Sequence, residues 1–179
     1  MKHLRRFIWH IATRLMILTL VLAMLVVGFY YAMNMTNMYV VLKDGMARRA
    51  QVVMTLADRA ELDKFFFASF LQQDPAVQTV VSGTSPYQDY NMVGIDHRLE
   101  MGFTWVWPWD TTARVEITER IPRIDGRIKG SVAEAYIARY GEAVLYPPDW
   151  ISARYRATLV KENGQWKILN LQTIERLTD

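Results

Sequence analysis

Between Leu15 and Met33 the chain runs for 19 residues without a charged side chain, LMILTLVLAMLVVGFYYAM, and only Thr19 and Gly28 interrupt the apolar stretch. At about 1.5 Å per residue such a helix is roughly 28 Å long, close to the thickness of a bilayer's hydrocarbon core, about 30 Å. A helix on a globular core is apolar along one stripe, whereas this segment is apolar on every face. Trp9 at one end and Tyr30 and Tyr31 at the other stand where interfacial aromatic residues stand. A cleaved signal peptide has a shorter apolar region, about 7–15 residues, followed by small residues at the cut. Cleavage after Ala32 would place Tyr30 where a small side chain is required. The expectation is a retained transmembrane helix with its ends at Leu15 and Met33.

Charge placement orients that helix. The net charge of +3 would suit a nucleic-acid binder, but four of the 21 basic residues, Lys2, Arg5, Arg6 and Arg14, precede the first acidic residue, Asp44. The remainder carries 17 basic against 18 acidic residues, so its body is neutral and nucleic acid is not an expected partner. Arg5, Arg6 and Arg14 crowd one end of the apolar run, and Lys43 is the nearest basic residue beyond the other. The positive-inside bias then gives a single-pass protein of the cell membrane, N-terminus cytoplasmic and C-terminal domain extracytoplasmic. Three segments follow: a basic cytoplasmic arm, 1–14; the transmembrane helix, 15–33; and an exported domain, 34–179.

Within the exported part, Met35, Met38, Tyr39, Leu42, Met46, Arg49, Val53 and Leu56 recur at three- and four-residue steps. They predict a helix continuing out of the bilayer, with Gly45 as a soft spot. A second helix is expected over DRAELDKFFFASFLQQDP, where Leu62, Phe66 and Phe70 share a face, Phe67 and Leu71 widen it, and Asp74-Pro75 stops it. Period-two alternation then begins. Val93, Ile95, His97, Leu99, Met101, Phe103, Trp105 and Trp107 read as the inward face of one long strand. Pro108 breaks it, Trp109-Asp110-Thr111 forms a turn, and Ala113, Val115, Ile117 and Ile121 resume the alternation in an antiparallel partner. Ile124 to Arg127 reads as another turn. Residues 132–144 are ambiguous between helix and strand and lean to helix. Beyond Pro147-Pro148, Ile151, Ala153, Tyr155, Ala157 and Leu159 share one face of a strand. Asn163-Gly164 suits a two-residue hairpin turn, and Trp166, Ile168, Leu169 and Leu171 lie on the partner strand. Helices followed by antiparallel strands make an α+β domain with helices covering one face of a curved sheet. With no cysteine in the chain, its core must form without disulfides, and a fragment starting near Met46 is expected to fold alone.

The early helices with Phe65, Phe66 and Phe67, the long antiparallel strands, and the closing ATLVKENGQWKILNLQTIERL of Ala157 to Leu177 together resemble the nuclear-transport-factor-2-like superfamily, an α+β cone. The residues carrying the likeness are Leu159-Val160, the Glu162-to-Gly164 turn and Trp166-Lys167-Ile168. With a transmembrane helix in front, the whole resembles the bitopic scaffold subunits of conjugative and type IV secretion channels. The resemblance implies a scaffold function. Enzymes of the superfamily use a pocket Asp or an Asp-His pair, and nothing in this sequence fixes which acidic residue would be that one, so no catalytic residue is carried over.

Chemistry-bearing residues are sparse. Cysteine is absent, and no G-x-S-x-G or phosphate-loop pattern occurs. His3 and His10 lie in the basic flank, leaving His97 as the only exported imidazole. It is either a general base inside a pocket of the cone or a hydrogen-bonded inward histidine. Adjacent strand residues face opposite ways, so Asp96 cannot orient it. Trp105, Trp107 and Trp109 could stack on sugars or sit at the membrane surface. Alternation favours core packing for the first two and leaves Trp109 partly exposed, as the possible interaction residue. The expected function is a membrane-anchored extracytoplasmic interaction or scaffold module, with no catalytic, cofactor or metal site. Its expected partners are the lipid bilayer, other envelope or membrane proteins and further copies of itself. The alternatives are a small-ligand-binding or isomerase-like protein using the cone interior around His97, and a glycan- or cell-wall-binding surface protein.

Overall fold

The computed structural model describes residues 2–55 and 57–177. Helix α1, Lys2–Thr55, runs without a break for 54 residues, about 80 Å at helical rise. In its first part, over 15–33, the helix is largely exposed and apolar on all sides; it is long and apolar enough to cross a membrane, and none of its most apolar window is buried within the molecule. Its second part is the core. Met38, Leu42, Met46, Ala50 and Val53 are buried at the expected three- and four-residue steps, whereas Leu56 lies outside the described residues. One rigid element therefore carries both the apolar run and the domain's central packing stripe.

Gly45 is a close approach rather than a weak point. A Cβ there would stand 3.0 Å from Phe65 Cβ and 3.3 Å from Ile168 Cδ1, so the missing side chain lets α1 lie directly on what it covers. Because Met38 and Leu42 are fully buried, a fragment beginning near Met46 would lose part of this core.

The expected second helix is divided into two short pieces, and a further helix begins at its expected end. Arg59–Lys64 is a 3₁₀ turn capped by Asp58, Ala68–Leu71 is one turn of α-helix, α2, and Pro75–Val81 is α3. Between the first two, the chain leaves the helix to pair with the sheet: Phe66 bridges Ile168, Phe67 N–H donates to Ile168 O at 3.0 Å and Ile168 N–H to Phe65 O at 2.7 Å. Backbone pairing with an otherwise open strand edge outweighs continuation of a short helix. Asp74-Pro75 begins a helix instead of ending one. The Asp74 carboxylate accepts from Ala76 N–H at 3.0 Å, and proline at the first helical position gives up no hydrogen bond.

Four antiparallel strands form one sheet in sequence order: β1, Tyr90–Met101; β2, Thr112–Ile128; β3, Ala153–Glu162; and β4, Gln165–Arg176. Helix α4, Gly130–Tyr140, and a 3₁₀ turn, Glu142–Leu145, connect β2 to β3, so the ambiguous stretch is helical. Ala113, Val115, Ile117, Ile121, Ala157 and Leu159 are buried as the alternation predicts. Asn163 and Gly164, with φ of 51° and 81°, make the hairpin turn that needs two left-handed residues.

Bulges explain where the alternation misleads. Val93 is an extra residue between the Met92–Gly126 and Gly94–Asp125 pairs, and it is 87% exposed while Met92 packs on the core. Leu169 is likewise skipped between the Asn170–Thr158 and Ile168–Leu159 pairs and points outward. Each inserted residue shifts the inward parity by one. Ile124 to Arg127 is not a turn; it pairs with β1 as far as Asn91. Ile151 precedes β3 and is exposed. β1 ends at Met101, so Phe103, Trp105 and Trp107 do not continue its inward face.

Candidate functional site

Two constellations concentrate polar or aromatic side chains. The first lies inside the domain, where α1 crosses the sheet. Arg49 occupies an inward position of the α1 stripe and grips Asp74 through two hydrogen bonds, Nη2 to Oδ1 at 2.9 Å and Nε to Oδ2. Both residues are buried. Burial works against the Arg49 charge, but the Asp74 hydrogen bonds and the negative charges of Asp74 and Glu119 outweigh it and push the guanidinium pKa above its ordinary range. The guanidinium also stands 5.6 Å from the centre of the Trp150 ring.

Glu119 takes the inward place in β2 that the pattern of Val115, Ile117 and Ile121 would give to an aliphatic residue, and it is fully buried. One carboxylate oxygen faces His97 Nε2 at 3.0 Å, and the other accepts from Trp150 Nε1 at 3.3 Å. His97 owes its position to a register shift: between the Asp96–Arg123 and Arg98–Arg120 pairs it stands opposite both Ile121 and Pro122. Proline donates nothing to a ladder and is accommodated at such a bulge. Asp96 turns outward and pairs with Arg98 at 2.6 Å, as strand geometry requires. His97 is thus held as a hydrogen-bonded inward histidine. Glu119 was not singled out from the sequence, although a glutamate in phase with buried aliphatics was the available signal.

Beside this network opens a cavity of about 440 Å³. Arg49 and Val53 of α1, Trp150, Tyr155, Leu171 and Arg176 line it, with Tyr87 at another wall. Burial first, and the Asp149 charge second, push the Tyr87 phenol up to about 12; burial and the nearby Glu119 charge also raise that of Tyr155. The neutral phenols, the apolar walls and the paired Arg49 suit an apolar group carrying hydrogen-bonding atoms. His97 does not line this cavity; it borders a separate one of about 380 Å³ with Ala47, Gln51 and Ile95. Among the described residues, no group of three or more acidic or histidine side chains is placed to hold a metal ion.

The second constellation is the loop joining β1 to β2. It carries the tryptophans, and the expectation that Trp105 and Trp107 are core residues is overturned. Trp105 is 55% exposed and Trp109 67% exposed, while the intervening Val106 is buried and roots the loop in the core. The Trp105 ring stacks on Tyr31 of α1, centroids 4.6 Å apart and planes 26° apart. Trp107 meets Trp105 edge-on at 5.2 Å and stacks on Trp109 at 5.1 Å, nearly parallel at 8°. Tyr31 Oη donates to Thr104 O at 3.1 Å, and Asn34 Nδ2 reaches Trp107 O and Pro108 O at 3.5 Å. Of the residues marked from the sequence, Trp109 is exposed as expected, His97 is internal, and Leu15 and Met33 both lie on the exposed apolar part of α1.

No protein-family model matches the chain, and neither a curated protein nor a solved structure matches it.

Proposed function

We propose that this is a single-pass membrane protein whose α1 crosses the bilayer over Leu15–Met33 with its N-terminus in the cytoplasm, and whose extracytoplasmic α+β domain is an interaction or scaffold module of the cell envelope. The observation that carries the reading is the continuity of α1, which passes from an all-round apolar stretch into the buried stripe Met38, Leu42, Met46 without a break. A flexible linker would let a domain wander from its anchor; a continuous helix presents it at fixed height and orientation, as an assembly subunit requires. The likeness to the nuclear-transport-factor-2-like cone supports the same reading, through helices laid on an antiparallel sheet and a final hairpin turning at Asn163-Gly164 before Trp166-Lys167-Ile168. Partners in this reading are other envelope proteins or further copies of the chain, and the domain's open cavity receives a partner's apolar side chain.

The 440 Å³ cavity also favours a second reading, a binding site for a small apolar molecule. A photo-crosslinking residue at Ile151, on the exposed rim of that cavity, separates the two in native membranes. The scaffold reading expects a discrete protein adduct that disappears when Thr79→Trp, at a small residue of the cavity wall, narrows the cavity. No adduct at Ile151, together with a small-molecule mass retained on the intact detergent-solubilised chain, would favour the ligand reading instead.

A further inference from the structure

The β1–β2 loop touches α1 at Tyr31 and Asn34, level with the end of the apolar run at Met33. The groove that Trp105 and Trp107 form with α1 continues down the helix through Val27 to Leu20, about 16 Å from Tyr31 at helical rise. A loop in water normally mixes polar and charged residues, yet Gly102 to Trp109, GFTWVWPW, contains no charge, and Phe103 is 83% exposed. Several of the loop's polar groups are partnered from within the protein. Gly102 N–H donates to Glu116 O at 2.8 Å, Thr104 Oγ1 to Arg114 O at 2.9 Å, and Trp107 N–H to the Asp110 carboxylate at 2.8 Å. Together with the Tyr31 and Asn34 bonds, these lower the cost of placing irregular backbone at the edge of the hydrocarbon region, where headgroup water reaches the remaining N–H groups. Tryptophan favours that boundary because its ring is largely apolar and its N–H polar.

From these features, and resting on the reading that α1 spans the membrane, we infer that the loop carrying Phe103, Trp105, Trp107 and Trp109 is a second membrane contact. It is seated in the boundary between headgroups and acyl chains of the extracytoplasmic leaflet. The helix sets the height of the domain, and the aromatic loop fixes its rotation and tilt by holding the β1–β2 end of the sheet against the lipid. Stacking on sugars fits less well, since the rings already pack on one another and on Tyr31 beside an apolar helix surface.

Because the chain contains no cysteine, single substitutions can carry a nitroxide label without other changes. Full-length protein bearing Phe103→Cys or Trp109→Cys, reconstituted in phosphatidylcholine–phosphatidylglycerol vesicles, is compared with Leu22→Cys in the apolar run and Val93→Cys at an exposed bulge. Accessibility to oxygen relative to a water-soluble nickel chelate should be several-fold higher at Phe103 and Trp109 than at Val93, and shifted toward Leu22. Labels at 103 and 109 as water-exposed as that at Val93, with Leu22 still in lipid, would overturn the loop's membrane contact while leaving the spanning helix intact. Labels shielded from both reagents would also overturn it, since they would place a protein partner or a second copy on the loop. A water-exposed label at Leu22 would instead refute the spanning helix itself.

Discussion

Arg49 and Asp74, 25 residues apart in sequence, form a buried two-pronged ion pair that ties the long α1 to the start of α3. Asp74 also caps α3 through Ala76 N–H. One carboxylate therefore does two jobs, and they can be separated. Asp74→Asn keeps a capping oxygen but leaves the Arg49 charge unpaired, at a cost of about 3–5 kcal/mol. The double change Arg49→Met with Asp74→Asn removes the stranded charge and should recover most of that loss in a denaturant titration. If the double variant were as unstable as the single one, the stranded Arg49 charge would not be the source of the loss.

At Gly45, alanine is favoured over glycine in an isolated helix by about 1 kcal/mol. Here the added Cβ would press on Phe65 at 3.0 Å, so Gly45→Ala should lower the melting temperature. Gly130→Ala, at the start of α4 with nothing within 4 Å of its Cβ, should not. Equal effects at the two positions would mean that α1 does not lie as close to Phe65 and Ile168 as the contact distances imply.

Much of the fold was legible because period is a direct record of burial. The α1 stripe, the β2 alternation and the Asn163-Gly164 turn are all readable from spacing alone. Errors arose where one inserted residue changed parity, at Val93 and Leu169, and where the Phe65–Phe67 cluster left the helix to pair with Ile168. The interior polar network was half visible: Arg49 stood in the stripe, but its partner Asp74 and the Glu119–His97 pair depend on contacts between distant segments. For the tryptophans, simple extension of the β1 alternation pointed inward, whereas β1 ends at Met101 and only the tertiary path brings the loop beside Tyr31.

His97→Ala should act as a packing and hydrogen-bond loss. It leaves buried Glu119 with Trp150 as its remaining contact among those described and should cost about 1–3 kcal/mol. The Ile151 crosslink should persist in folded protein at reduced temperature. An unchanged melting temperature with the crosslink abolished would give His97 a direct part in binding.

Trp166 is buried in the last hairpin, its indole N–H without a hydrogen-bond partner among the described residues and its ring 4.8 Å from Lys161 Nζ. Truncation to alanine should cost about 3–5 kcal/mol. Trp166→Phe also removes the unpartnered donor and should cost clearly less. Trp109→Ala, by contrast, should leave thermal stability nearly unchanged, which a melting curve in detergent would check.

Stability should fall at high pH. The Tyr87 phenol, raised by burial and then by Asp149 from 10.0 to about 12, keeps its proton in the folded state over a range where the unfolded chain releases it. Its contribution is fully present below pH 10 and is lost as pH rises towards 12. Tyr87→Phe should flatten the decline of melting temperature across that interval; an unaltered slope would assign the loss to other groups.

Passage of α1 across the membrane, with the domain on the far side, is tested most directly by single cysteines in intact cells treated with a membrane-impermeant maleimide. Val93→Cys, on the exposed bulge of β1, should be labelled without breaking the cells, and His10→Cys, in the basic flank, only after permeabilisation. Labelling of His10→Cys in intact cells with Val93→Cys protected, or of both positions alike, would contradict the account.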